Sequence, residues 1–138
     1  MHSREPRQHL ASERGQSTVE LALLLPVIVL LLFGVLEFGR VFNAWIVVTQ
    51  ASREGARIGA TQCATNAACS GNVEAWVNNS LGGLDPANMT WDMTPGPYSA
   101  GGTLQVTVDY DVAITTPVIS NLVGNTLTVH GATSMRLE

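Results

Sequence analysis

Arg14-Gly15-Gln16-Ser17-Thr18-Val19-Glu20 runs directly into the sixteen-residue stretch LALLLPVIVLLLFGVL, residues 21–36. No charge interrupts that stretch until Glu37. So apolar a run predicts a membrane helix, although it falls a little short of the roughly 20 residues that cross a bilayer. Glu20 stands at its head, and a carboxylate taken into hydrocarbon is costly unless it is paired. Three readings compete for the segment. A cleaved secretory signal wants small residues in an A-x-A-like arrangement after its apolar core; the residues present are Glu37-Phe38-Gly39-Arg40-Val41-Phe42. A plain signal anchor leaves Glu20 as an unexplained cost. The third reading uses both polar residues.

Gly15 follows Arg14, and Glu20 lies five positions further on. That is the layout of a type IV prepilin leader, in which a membrane peptidase cuts after Gly15 and leaves Gln16 as the new N-terminus. The expected organisation is a leader over residues 1–15, a long helix over 16–60 that is transmembrane at about 20–40, and an extracytoplasmic domain over 61–138. The new amine on Gln16 supplies a partner for Glu20 of a neighbouring subunit; the alternative is a Glu20 that snorkels at the cytoplasmic interface. Pro26 inside the helix predicts a kink that neighbouring helices can absorb. Arginines flank the run on both sides, at 4, 7 and 14 and at 40, 53 and 57. The leader, the cysteine pair and the cation-free remainder place the N-terminus inside.

In 138 residues there is room for one membrane segment and one domain. All seven basic residues are arginine, and none lies between Arg57 and Arg136. A domain without cations cannot neutralise phosphates, so nucleic acid is excluded as a partner. Cys63 and Cys69 lie close in sequence. Outside the cytoplasm they are expected to close a local disulfide, and their spacing misses CxxC. The histidines, His2, His9 and His130, are far from them, so no metal site is indicated.

Beyond the apolar run no proline interrupts residues 37–60, and Val41, Trp45 and Val48 keep helical spacing. Glu37 and Arg40 are placed to pair at i,i+3. Ala51, Ser52, Gly55, Ala56, Gly59 and Ala60 put small residues on one side, where another element can approach closely. The protein's own sheet is the expected neighbour of Gly55 and Gly59; a partner helix is the alternative.

The runs over residues 14–26, 34–40 and 51–57 resemble a TadE-like protein, a pseudopilin-like component of tight-adherence (Tad) pilus systems. Residues 106–110 and 127–136 resemble that family more loosely. The resemblance implies processing by a prepilin peptidase, partnership with other pilins and Tad assembly proteins, contact with membrane lipid, and a bacterial inner-membrane location. Leu21 departs from the aromatic residue that often follows the glutamate.

The remainder reads as α+β. Residues 72–81 form a short amphipathic helix with Val73, Trp76, Val77 and Leu81 on one face, ended by Gly82-Gly83. Three alternating stretches follow: Met89, Trp91 and Met93; Leu104, Val106, Val108, Tyr110, Val112 and Ile114; then Leu127, Val129, Met135 and Leu137. Strict period-two alternation predicts strands with one buried face. Residues 94–102 and 115–125 are expected as loops. A three-stranded antiparallel sheet needs cover, which the long helix and the helix around Trp76 can give. The plan is pilin-like.

Asp109 and Asp111 share the polar face of one strand, within reach of His130 and Asp92 on neighbouring strands. Such residues ordinarily solvate a sheet, and a catalytic site needs several convergent groups. No phosphate loop, GxSxG or HExxH occurs. No enzyme, cofactor or small-molecule substrate is expected. The functional expectation is a minor pilin that helps assemble an adhesive pilus; the alternative is an unprocessed, signal-anchored binding domain.

Overall fold

The computed structural model describes residues 9–66, 68–94 and 96–138. Residues 1–8, the first half of the expected leader with His2, Arg4 and Arg7, lie outside the described residues, as do Ala67 and Pro95. The order is α1 (His9–Gln62), α2 (Cys69–Asn79), a 3-10 turn (Pro86–Asn88), β1 (Met89–Met93), β2 (Thr103–Ala113), α3 (Pro117–Val123) and β3 (Thr126–Arg136). The strands form one antiparallel sheet in the order β1-β2-β3. This is the α+β class that the alternating strands and the long apolar helix predict.

Helix α1 begins before Gly15 and continues through Pro26. Nothing from His9 to Gln16 opposes it except Gly15, whose cost in a helix is about 1 kcal/mol against alanine. The chain divides into two compact units, one ending at Leu36 and the other Glu37–Glu138. The folded domain therefore takes in the second half of α1 together with everything after it. Within the first unit, the leucine, valine, isoleucine and phenylalanine side chains of residues 21–36 are exposed. One 18-residue window there reaches a mean hydropathy of 2.8. Apolar surface on that scale is stable in lipid and unstable in water.

Within the second unit, one stripe of α1 faces the core. Ala44, Val48, Ala51, Ser52, Gly55, Ala56, Ile58 and Gly59 are buried, and Val41 is half-buried. Against them stand Val73 and Val77 of α2 and Leu104, Val106, Val108, Tyr110 and Val112 of β2. The two helices cover one face of the sheet, and Val129 and Leu137 complete the core.

Three large side chains depart from the expected pattern. Trp45 is 48% exposed, and Ala44 takes the inward position on the turn. Trp76 is 44% exposed on the outer side of α2, while Val73 and Val77 are fully buried. Leu127 heads the apolar face of β3 but is itself exposed. For Trp45 the reason is the close approach of α1 to the sheet, where Gly131 faces the Val48 backbone, which leaves room for alanine, serine and glycine but not for an indole. The segment 115–125, expected as a loop, carries the seven-residue helix α3. Pro117 starts it, and Gly124, at φ 96°, ends it.

Cys63 and Cys69 are joined by a disulfide across the turn from α1 to α2. Both are buried in the core cluster. Closing so short a loop contributes roughly 2 kcal/mol in the chain-entropy account. Replacing both by alanine is therefore expected to lower stability by about that amount, read as a fall in the melting temperature of the detergent-solubilised chain. Reduction of the parent protein should reproduce the shift.

Candidate functional site: the processing segment and the Glu37 junction

Gly15, Gln16 and Glu20 all lie on α1. Gly15 has open space around its Cα, with nothing within 4 Å of an added Cβ. Gln16 and Glu20 are four residues apart on the helix and both are exposed. Four residues is the spacing of neighbours on one helix face. Their side chains are thus presented outward together, at the head of the apolar run.

The second constellation lies where that run ends. Glu37 occupies the same stripe of α1 as Val41, Ala44 and Val48, at spacings of four, seven and eleven, so its side chain is carried toward the sheet rather than outward. It is 5% exposed. Its Oε1 accepts from the backbone N–H groups of Thr115 and Thr116, both at 2.9 Å. The same oxygen accepts from the hydroxyls of Thr115 at 2.6 Å and Thr116 at 3.0 Å. The other oxygen takes Arg40 Nη1 at 2.8 Å, and Arg40 also donates to Thr115 Oγ1 at 3.1 Å. Donation from the Thr115 hydroxyl, with the Thr116 hydroxyl and both N–H groups adding to it against the opposing cost of burial, holds the Glu37 carboxyl at about 2, well below the usual carboxylate range.

Thr115 and Thr116 are presented by the chain leaving β2. Ile114 N–H donates to Asn125 O and closes the base of the α3 excursion, so residues 115–124 hang as a lobe from one end of the β2–β3 pair. Thr116 is the N-cap of α3, yet its side chain makes no capping bond. Its hydroxyl is spent on Glu37 instead. Sequence reasoning placed Glu37 beside Arg40 and missed the threonines 78 and 79 positions away. The signal that would have found them is the stripe itself: a carboxylate in register with core positions must find donors.

The remaining sequence candidates are placed as follows. Gly55 meets Val77 and Val106, and Gly59 meets Leu104 and Val73, so both face the protein's own second helix and sheet. Asp109 and His130 are register partners across β2–β3 and their side chains touch. Asp111 accepts from Thr128 at 2.6 Å. Asp92 is opposite Thr107, on the other side of β2. Among the described residues no three acidic, histidine or cysteine side chains gather as metal ligands.

The middle stretch of α1, with Glu20, the apolar run, Glu37 and Gly55, is the part of the chain that resembles a known family. Residues 15–57 match the family model described as TadE-like protein. The TadE-like segment starts at Gly15 and ends at Arg57, inside α1. It includes Glu20, the whole apolar run, Glu37 and Gly55, and no part of the sheet. The match points to a component associated with a Tad pilus. No curated protein and no solved structure gives a significant match.

Proposed function

We propose that the chain is a pseudopilin, a minor pilin that acts in assembling an adhesive Tad-type pilus after a prepilin peptidase has cut it behind Gly15. The observation that carries this reading is where the TadE-like match begins, at Gly15 itself, with Glu20 and a chargeless exposed helix following. In this reading the chain sits in the bacterial inner membrane as a single-pass protein. Its N-terminus is cytoplasmic and its α+β domain extracytoplasmic. It works by contact with other pilins and Tad assembly proteins and catalyses nothing itself.

Cleavage gives Gln16 a free α-amine one helical turn from Glu20. Pairing within one chain would leave every subunit self-contained; pairing between subunits sets their axial register, a known use of buried polar groups. The bond after Gly15 lies inside α1. A peptidase must open that turn to reach it, and Gly15 makes the opening cheaper.

The test is the mature N-terminus, read by mass spectrometry on the protein expressed with its own peptidase. A terminal peptide starting at Gln16 is expected. A retained Met1 leader beside an active peptidase overturns the proposal in favour of a signal-anchored binding domain. Glu20→Gln is expected to leave insertion and cutting intact while abolishing pilus assembly, scored by filaments on the cell surface. Normal filaments from that variant would sink the pairing.

A further inference from the structure

Helix α3 is built the wrong way round for a solvated surface. Val118 is 57% exposed, Val123 55% and Leu122 88%, with Leu127 of β3 exposed beside them. Its one hydroxyl, Ser120, is half-buried and bonded back to Pro117 O. No charged residue stands between Asp111 and Arg136, so the patch carries no ring of ions to solvate it or to recruit an acidic or basic protein. Apolar surface presented in this way on a small domain marks a contact site.

Its position says what the contact is. Thr115 and Thr116, which start the lobe, are bonded to Glu37. Glu37 is the residue next after the apolar run, so the lobe is pinned to the point of the chain where the membrane segment ends. A second apolar feature begins one residue later. Phe38, Phe42 and Trp45 follow at spacings of four and three on α1, all exposed. Phe38 stacks on Phe42 with centroids 6.0 Å apart, and Trp45 lies tilted against Phe42 at 5.7 Å. An aromatic girdle just beyond a spanning segment is the usual mark of the headgroup layer. Helix α3, whose lobe is tied to Glu37 through Thr115 and Thr116, exposes apolar side chains of the kind that an interfacial element buries in lipid.

We propose that α3 seats the domain on the bilayer: Val118, Leu122, Val123 and Leu127 enter the headgroup layer at the Leu36 end of the spanning helix. The proposal rests on the reading of α1 as membrane-spanning, with residues 21–36 in the hydrocarbon and the rest of the expected 20–40 span, Glu37 to Arg40, in the headgroup layer. It adds a second point of attachment, which fixes the rotation of the domain about its anchor. In a pilin-like subunit this attachment holds the domain against the membrane until the chain leaves it. The contact rests on apolar burial rather than on anionic lipid, because Arg40, the cation at the base of the lobe, is already held by Glu37 and Thr115.

The experiment uses the full chain in vesicles of phosphatidylethanolamine and phosphatidylglycerol in equal parts. A single environment-sensitive nitrobenzoxadiazole label is placed at Leu122→Cys, at Leu25→Cys or at Asn79→Cys, with the native disulfide kept. Lipids carrying a nitroxide near the headgroup serve as quenchers. The Leu122 label is expected to be quenched severalfold more than the Asn79 label, to emit further to the blue, and to be indifferent to salt and to dilution of protein in lipid. Val118→Asp should reduce that quenching toward the Asn79 level. A quenched Leu25 label beside an unquenched Leu122 label overturns the seating and leaves the anchor standing. Unquenched labels at both sites remove the membrane reading and the seating together. Shielding of Leu122 that disappears on dilution in lipid assigns the patch to a second copy of the chain and overturns the proposal.

Discussion

Replacing Gly131 with alanine is expected to lower the melting temperature of the domain by about 10–20 °C, and valine there should leave no cooperative transition. Gly131 sits in β3 opposite Val108, where the sheet meets α1. A Cβ added at this position would lie 2.8 Å from Val48 O, 2.9 Å from Val48 C and 3.0 Å from Thr49 N. All three are backbone atoms, so no rotamer change relieves the contact. Its φ lies outside the left-handed region, so the whole cost is spatial. To admit the methyl, α1 and the sheet must separate by about half an ångström, and a gap of that size already forfeits a quarter of each dispersion contact across it. Overpacking of this kind costs about 3 kcal/mol, a large part of a small domain's stability. The measurement is tryptophan fluorescence against temperature in detergent, where half-buried Trp91 of β1 should report the transition more strongly than exposed Trp45 and Trp76. Gly71→Ala is the control. Gly71 lies exposed in α2 with nothing within 4 Å, so the same change should be neutral or stabilise by up to about 1 kcal/mol. If Gly131→Ala melts with the parent protein, close helix–sheet packing is not what the glycine is for.

This contact also explains which parts of the fold were legible in the sequence. The strands were, because Leu104, Val106, Val108, Tyr110 and Val112 alternate with polar residues and that period has one structural meaning. The long helix was, from an apolar run without charge and a following segment without proline. The inward face of that helix was only half legible. Hydrophobic size favours Trp45 and Trp76 as core residues, but the core is set by how near α1 can come to the sheet. Gly131 fixes that distance from a strand more than 80 positions away. Once the approach is close, Ala44, Ala51 and Ser52 fit and an indole does not. Ser52 tolerates its burial because its hydroxyl meets Thr133 Oγ1 at 2.9 Å. The lobe carrying α3 was illegible for a different reason. Its apolar residues face away from the core, so no amphipathic pattern pointing inward announces a helix. Of the candidate sites, Gly15 and Glu20 form a local motif that is proposed from the sequence itself. The Glu37 junction is assembled from residues remote in sequence and reads only from the fold.

Glu37→Ala should be the most damaging single change outside the packed core, with a fall in melting temperature of roughly 10 °C as the hydrogen-bonded junction is lost. Four donors from Thr115 and Thr116 converge on one carboxylate oxygen, and Arg40 holds the other. Alanine leaves the two N–H groups without their acceptor and frees the base of the α3 lobe. Glu37→Gln keeps an acceptor for the threonines but turns an amide N–H₂ toward Arg40, so an intermediate loss is expected. The junction also fixes a direction for acid sensitivity. The folded carboxyl titrates near 2 and the unfolded one near its ordinary value of 4.5. A depressed folded value means that the contribution is complete above about pH 4.5 and is lost as the pH falls toward 2. The melting temperature of the parent protein should therefore hold level from neutral pH to about 5 and then decline. Glu37→Ala should show a lower plateau and a shallower decline, because the group that couples folding to that proton is gone. Parallel curves for the two proteins would mean that the acid transition belongs to other carboxylates, Glu54 beside Arg57 among them. If Glu37→Ala also moves the Leu122 label out of the headgroup layer, the junction is what aims α3 at the bilayer. A lobe that keeps its seat without Glu37 must instead be held by its own apolar face and by the β2–β3 ladder beneath it.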